Sequence, residues 1–263
     1  MAHRRLAFAG LALLVTIGLT GCEPTEDQAA PGASSTAASP AASAGSAAAA
    51  SELAAAAAKL AGDTAHLEVS MTGLMSMTGV VDPQAQTARM TMDMGAVSDG
   101  TKAEVRTIGD DVWLKLKGPL GRLLGANDQW MHLDAADLPT ASSFNVLPGN
   151  DPGGVQAMVR AMTDVRRAGP YGFTGTIDLT KSPKYSPGTV RALGAGASAV
   201  PFTAKTDAQG RLVELTTDLS AVVSGAGNAT TKFSDFGVAV DVARPAAAET
   251  TELPSQLRNV ING

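Results

Sequence analysis

Between residues 67 and 81 every odd position is apolar or glycine: Leu67, Val69, Met71, Gly73, Met75, Met77, Gly79 and Val81, while most even positions are polar. A period of two belongs to an extended chain with one face on a core and the other in water. The segment therefore reads as one long half-buried strand. Asp82-Pro83 turns the chain, and residues 89–96 alternate again, with Met90, Met92 and Met94 on one face. Strands are expected next at 102–108 and 112–117, parted by Gly109-Asp110-Asp111, and at 129–134. The first half is thus an antiparallel meander of hairpins.

Helical periodicity occurs in fewer places. Ser51 is placed to cap a short Ala-rich helix showing Leu53, Ala57 and Leu60, with Gly62 to end it. Asp151 and Pro152 open a second helix whose stripe is Val155, Met158, Val159, Met162 and Val165, stopped by Gly169-Pro170. A strand at 173–179, a short helix at 187–194 and strands at 200–206 and 211–219 follow, the last pair joined by Asp207-Ala208-Gln209-Gly210. Residues 230–242 read as the final strand. Long antiparallel strands with a few one-sided helices give an α+β layered fold, the helices covering one face of a curved sheet.

The amino terminus sets the compartment. Positive charge at Arg4 and Arg5 precedes an apolar run at 6–19, which is too short for a comfortable membrane span and has the form of a signal-peptide core. It ends in Leu19-Thr20-Gly21-Cys22, around the chain's one cysteine, and resembles the bacterial lipobox. That resemblance implies cleavage before Cys22 and diacylglyceryl attachment to its thiol; an ordinary secretory signal with a chance cysteine is the alternative. Residues 1–21 are then the signal peptide, and 22–50 the lipidated cysteine with a disordered Ala/Ser/Pro tether. Residues 51–245 form one domain and 246–263 a polar, extended tail. With Cys22 acylated no thiol remains for disulfides or redox work, so the fold must hold through its own core. The net charge is −5, more negative still once Arg4 and Arg5 are removed, which leaves no electrostatic footprint for nucleic acid.

Catalysis is hard to assemble from what is left. His66 and His132 sit within strand patterns as surface or hydrogen-bonded residues, and no nucleophile elbow, His-Glu-x-x-His helix or Cys-x-x-Cys pair occurs. Gly194-Ala195-Gly196 follows an expected helix rather than a strand and reads as a loop. We expect no enzymatic activity and no cofactor. Met71, Met75 and Met77, facing Met90, Met92 and Met94, place six thioethers on one surface. Three readings fit them: plain hydrophobic core, a pliable lining for an acyl chain, or a soft site for Cu(I), although no His or Cys is interspersed. In the acyl-chain reading Val155, Met158, Val159 and Met162 of the second helix close the site from above.

Four features resemble the actinobacterial LppX/LprG-type lipoproteins and the wider LolA-like group of exported carriers. They are the order of lipobox, tether, short helix and alternating strands; Asp111-Val112-Trp113-Leu114-Lys115-Leu116 followed by Gln129-Trp130-Met131-His132-Leu133-Asp134; Val200-Pro201-Phe202-Thr203 leading into Asp207-Ala208-Gln209-Gly210-Arg211; and Phe233-Ser234-Asp235-Phe236-Gly237-Val238 running to Arg244-Pro245. The resemblance implies an antiparallel half-barrel closed by helices, with an apolar cavity for lipid or lipidated glycan, and it assigns no head-group contact. A membrane-tethered carrier of an envelope lipid on the extracytoplasmic face is the expectation. Its rival is a solid-cored envelope module that acts through a protein partner or signals. Changing Cys22 to Ser should move the chain out of the membrane fraction or leave it unprocessed, as fractionation and immunoblotting would show; unaltered processing and retention would refute the lipid anchor.

Overall fold

Alanine has the highest helix propensity of any residue, and the Ala-rich segment uses it further upstream than the cap at Ser51 suggests. The computed structural model describes residues 40–95, 98, 100–140, 142–222, 227–255, 257 and 258, without the side chains of 40–44 and 221; all lie in the compact unit Ala38–Gly263. Cys22, the expected signal segment and the expected tether as far as residue 39 fall outside them. Helix α1 spans Pro40–Ala58 and passes into a 3-10 turn at Lys59–Ala61. Residues 40–50, expected as tether, are therefore helical. Ala49, 3% exposed, joins Leu53, Ala56, Ala57 and Leu60 in a single buried row, the spacing of an amphipathic helix.

The strands follow as β1 (Ala65–Met71), β2 (Met75–Asp82), β3 (Thr87–Asp93), β4 (Lys102–Ile108) and β5 (Asp111–Lys117). After helix α2 (Pro119–Leu123) come β6 (Trp130–Asp134), helix α3 (Val155–Arg160), β7 (Met162–Arg167), β8 (Gly172–Ile177), helix α4 (Pro187–Leu193), β9 (Val200–Thr206), β10 (Leu212–Asp218), β11 (Asn228–Ser234) and β12 (Thr250–Glu252). The fold is α+β. All twelve strands form one open sheet in the order β12-β6-β5-β4-β3-β2-β1-β11-β10-β9-β8-β7, antiparallel throughout except that β12 runs parallel to β6. Helix α1 packs on β7, β10 and α3, and Arg167 of β7 forms an ion pair with Glu52 of α1. Among the described residues no helix is long and apolar enough to cross a membrane.

The alternation of 67–81 belongs to two strands rather than one. Thr72, Gly73 and Leu74 turn the chain back, with Gly73 at φ 73° and the Leu74 N–H donating to the Met71 carbonyl at 2.9 Å. Met71 then pairs with Met75, Val69 with Met77 and Leu67 with Gly79. Paired residues share a face, so a three-residue turn leaves the parity intact. The row continues outward: Met77 stands opposite Met92, and Gly79 opposite Met90. A Cβ on Gly79 would lie 2.7 Å from the Met90 Sδ and 2.8 Å from its Cα, so only glycine lets the methionine lie across β2.

Two later expectations also change. The helix expected to run through Met162 and Val165 stops at Arg160, and both residues belong to β7. The last strand ends at Ser234, because Asp235 (φ 49°) and Gly237 (φ 84°) bend the chain away. The bent segment crosses the back of the sheet. There Arg106 donates to the Ala243 carbonyl at 2.9 Å, and Arg244 lies over Trp113 while bonded to Asp111 at 2.8 Å. Arg106 also covers Trp130 at 4.4 Å, so the two tryptophans are buried by cations on the face away from the core. The tail is only partly extended: β12 pairs with β6, and Leu257 is buried.

If α1 begins before Ser51, Ala49→Asp should destabilise the domain by about 2 kcal/mol beyond what Ala48→Asp costs, since both lose similar helix propensity but only Ala49 is buried. Thermal melts of the two variants decide it, and equal melting temperatures would return Ala49 to the tether.

Candidate functional site

Across β2, β1, β11 and β10 the paired residues form two rows on the core face. One is Met77, Val69, Thr231 and Leu215; the other is Met75, Met71, Ala229 and Thr217. On β11 and β10 the side chains are smaller than a packed core would require at Ala229, Thr231 and Thr217, and the gap is not filled from above. A cavity of about 160 Å³ lies over these eight residues. Its other walls are Ser143, Asn145, Val146, Gly153, Met158 of α3, and the Lys184-Tyr185 pair that precedes α4.

The upper wall is held by a capping arrangement. Asp151 takes the N–H of Gln156 on one carboxylate oxygen at 2.8 Å and that of Ala157 on the other at 2.9 Å, which supplies acceptors for the otherwise free N–H groups of α3. Gly153 and Gly154, at φ 65° and 70°, bring the chain from the cap into the helix. Gly154 has a second role: a Cβ there would overlap the Cδ of Lys184 and stand 3.0 Å from its Cγ and Cε. The lysine stem thus rests directly on the glycine backbone.

Burial acts on the charges here in consistent directions. It lowers the Lys184 pKa, against an opposing pull from Asp151. It raises that of Asp151, with the two backbone N–H groups, Arg160 and Lys184 acting the other way. It also raises the Tyr185 phenol, which stays protonated as a donor. On the far side of Lys184 lies a polar pocket of about 530 Å³, whose lining includes Asp151, Gln156 and Arg160; Asn145 and Lys184 line both spaces.

Of the ten residues expected to line a ligand site, Met71, Met75, Met77 and Met158 do so. Met90 and Met92, each 1% exposed, are sealed in the solid part of the core with Val155 and Val159, while Met94 and Met162 are half-buried against it. The methionines separate because β3 is followed by β4 and β5, whose Val105, Ala103, Leu114 and Leu116 stand in the same rows and close the core. The sequence reading missed Lys184, Tyr185, Asn145 and the β10–β11 floor. Alternating small residues in 215–217 and 229–231 carried a signal for the floor; the two-residue Lys184-Tyr185 segment carries no periodicity at all.

His66 and His132 lie on the opposite face of the sheet. The His66 Nε2 is 3.2 Å from the Thr78 hydroxyl, and the His132 Nε2 is 2.6 Å from Asp111. No family model and no curated protein matches the chain.

Met77 and Met92 are cross-strand neighbours of identical chemistry, one beside the cavity and one away from it. Met77→Trp should fill space and hold stability within about 1 kcal/mol, whereas Met92→Trp overpacks and costs about 1–3 kcal/mol. Denaturant titrations of both variants test this, and equal losses would mean that the cavity does not yield to a larger side chain.

Proposed function

We propose that this chain is an exported lipoprotein, anchored through acyl chains on Cys22, that binds a hydrophobic ligand in the methionine-walled cavity beneath α3. The observation that carries the reading is the cavity itself, floored by alternate residues of four adjacent strands and lined by four methionines. Methionine is unbranched and polarizable, so its side chains re-pack around an occupant with little strain. The finer architecture that belongs to this reading is a LolA-like half-barrel, with the helices closing an envelope-lipid site. The reading has the protein as a binder or carrier rather than an enzyme, working at the extracytoplasmic face of the membrane.

The size of the cavity bounds the ligand. At about 160 Å³ it matches spaces that admit a benzene-sized guest and falls short of the roughly 300–1,000 Å³ of ordinary ligand pockets. A bulky multi-acyl lipid would need the upper wall to move. A single chain with about six methylenes buried gains roughly 5 kcal/mol, which by itself corresponds to a dissociation constant somewhat below a millimolar.

Native mass spectrometry of the chain purified from its own host tests the proposal. We expect a co-purified amphiphile, lost when Ala229→Leu and Thr217→Leu together fill the floor. Ligand-free spectra combined with no uptake of a long-chain fluorescent probe would favour a solid-cored module that acts through protein contacts.

A further inference from the structure

Apolar contact in so small a space holds a ligand weakly, and one residue at its edge offers a different kind of contact. Lys184 lines both the methionine cavity and the polar pocket beside it. Its stem is seated on Gly154, which itself lines the second of these spaces. Among the described residues no carboxylate comes within 4 Å of its Nζ; Asp151 acts on it from further off, and both oxygens of Asp151 are already engaged by backbone N–H groups. Lys184 is half-buried, its stem covered and its amine still reaching water, and an amine partly withdrawn from solvent in this way gains from a close counter-charge. The partial burial also lowers its pKa. Arg160 adds a second cation in the polar pocket, and Asn145, common to both spaces, can donate through its amide. Tyr185 supplies a protonated hydroxyl on the apolar side. Two cations against the one carboxylate of Asp151 leave the boundary net positive.

We propose that Lys184 binds the oxyanion head of a single-chain amphiphile whose tail lies in the methionine cavity, with the head directed toward the pocket lined by Arg160. The proposal rests on the cavity reading above and narrows its ligand class to one acyl or alkyl chain bearing a carboxylate or phosphate. The single chain follows from the cavity volume, and the anionic head from a half-buried amine that lines both spaces, with Arg160 and the Asn145 amide beside it and no carboxylate in contact. Charge-assisted hydrogen bonds of this kind are about twice as strong as neutral ones, which lifts the affinity above what the tail gives.

The test uses the exported whole chain carrying Cys22→Ser, so that no acyl group of its own competes. Binding of dodecanoate, dodecyl phosphate, dodecanol and dodecyltrimethylammonium is measured by displacement of an apolar fluorescent probe. At least one of the two anions should bind about ten-fold or more tightly than dodecanol, with the trimethylammonium weakest, and the stronger anion identifies the head. Lys184→Met should bring the ratio of anion to alcohol affinity close to one, while Lys184→Arg keeps the anion preferred. Equal binding of anion and alcohol in the parent, or an unchanged ratio in Lys184→Met, would overturn the head assignment and leave the cavity reading standing. Should Lys184→Met fail to fold, the charge selectivity of the parent decides alone. No binding of any of the four compounds would overturn both proposals.

Discussion

A wide sheet with one face on a core must present its apolar side chains at every second position and in step with its neighbours, since a shift of one residue moves a whole strand's apolar set to the other face. That constraint runs through the structure. Registers between β1, β2 and β3 bring Leu67, Val69, Met77, Met90 and Met92 to a common face, and β4, β5 and β6 extend it with Val105, Leu114 and Met131. Everything packed on that face, including the buried row of α1, depends on the register. The opposite face is handled separately, by arginines laid over Trp113 and Trp130.

Within that common face the side chains differ in size along the sheet, and the difference makes the cavity. Beneath β3 to β5 large residues meet and exclude space. Toward β11 and β10 the floor falls to Ala229, Thr231 and Thr217, while the upper wall is a short helix and loops pinned by the Asp151 cap. A cap of this type is worth about 1 kcal/mol, small beside the packing of a strand. The wall over the cavity therefore opens at less cost than the sheet beneath it. The same segment carries Gly154, which seats Lys184, so the polar end of the site and its most yielding wall are linked.

How much of this was legible follows from what periodicity can and cannot carry. Alternation identified the strands other than β7 and β12, and the shared face of Met71, Met75 and Met77, because a three-residue turn preserves parity; for the same reason it could not reveal that turn. The stripe from Val155 to Val165 reads equally as one long helix or as a short helix followed by a strand, since Val159, Ala161 and Val165 also fall on alternate positions. The boundary at Arg160 is set by pairing of Met162 with Ile177 at the far end of the following strand, a contact that local periodicity does not encode. Ala49 was hidden for another reason: a low-complexity Ala/Ser segment has the composition of a tether, and only a partner surface turns it into a buried helix. Lys184 and Tyr185 reach the site through a loop, where local sequence says little about position.

The account stands on one part of the methionine surface being open and the rest solid. Labelling the methionine ε-methyl groups with ¹³C in the whole chain and titrating with dodecanoate separates these parts residue by residue. The signals of Met71, Met75, Met77 and Met158 should shift together and saturate, while those of Met90 and Met92 stay in place. Signals that do not move, or Met90 and Met92 shifting as far as the other four, would contradict it.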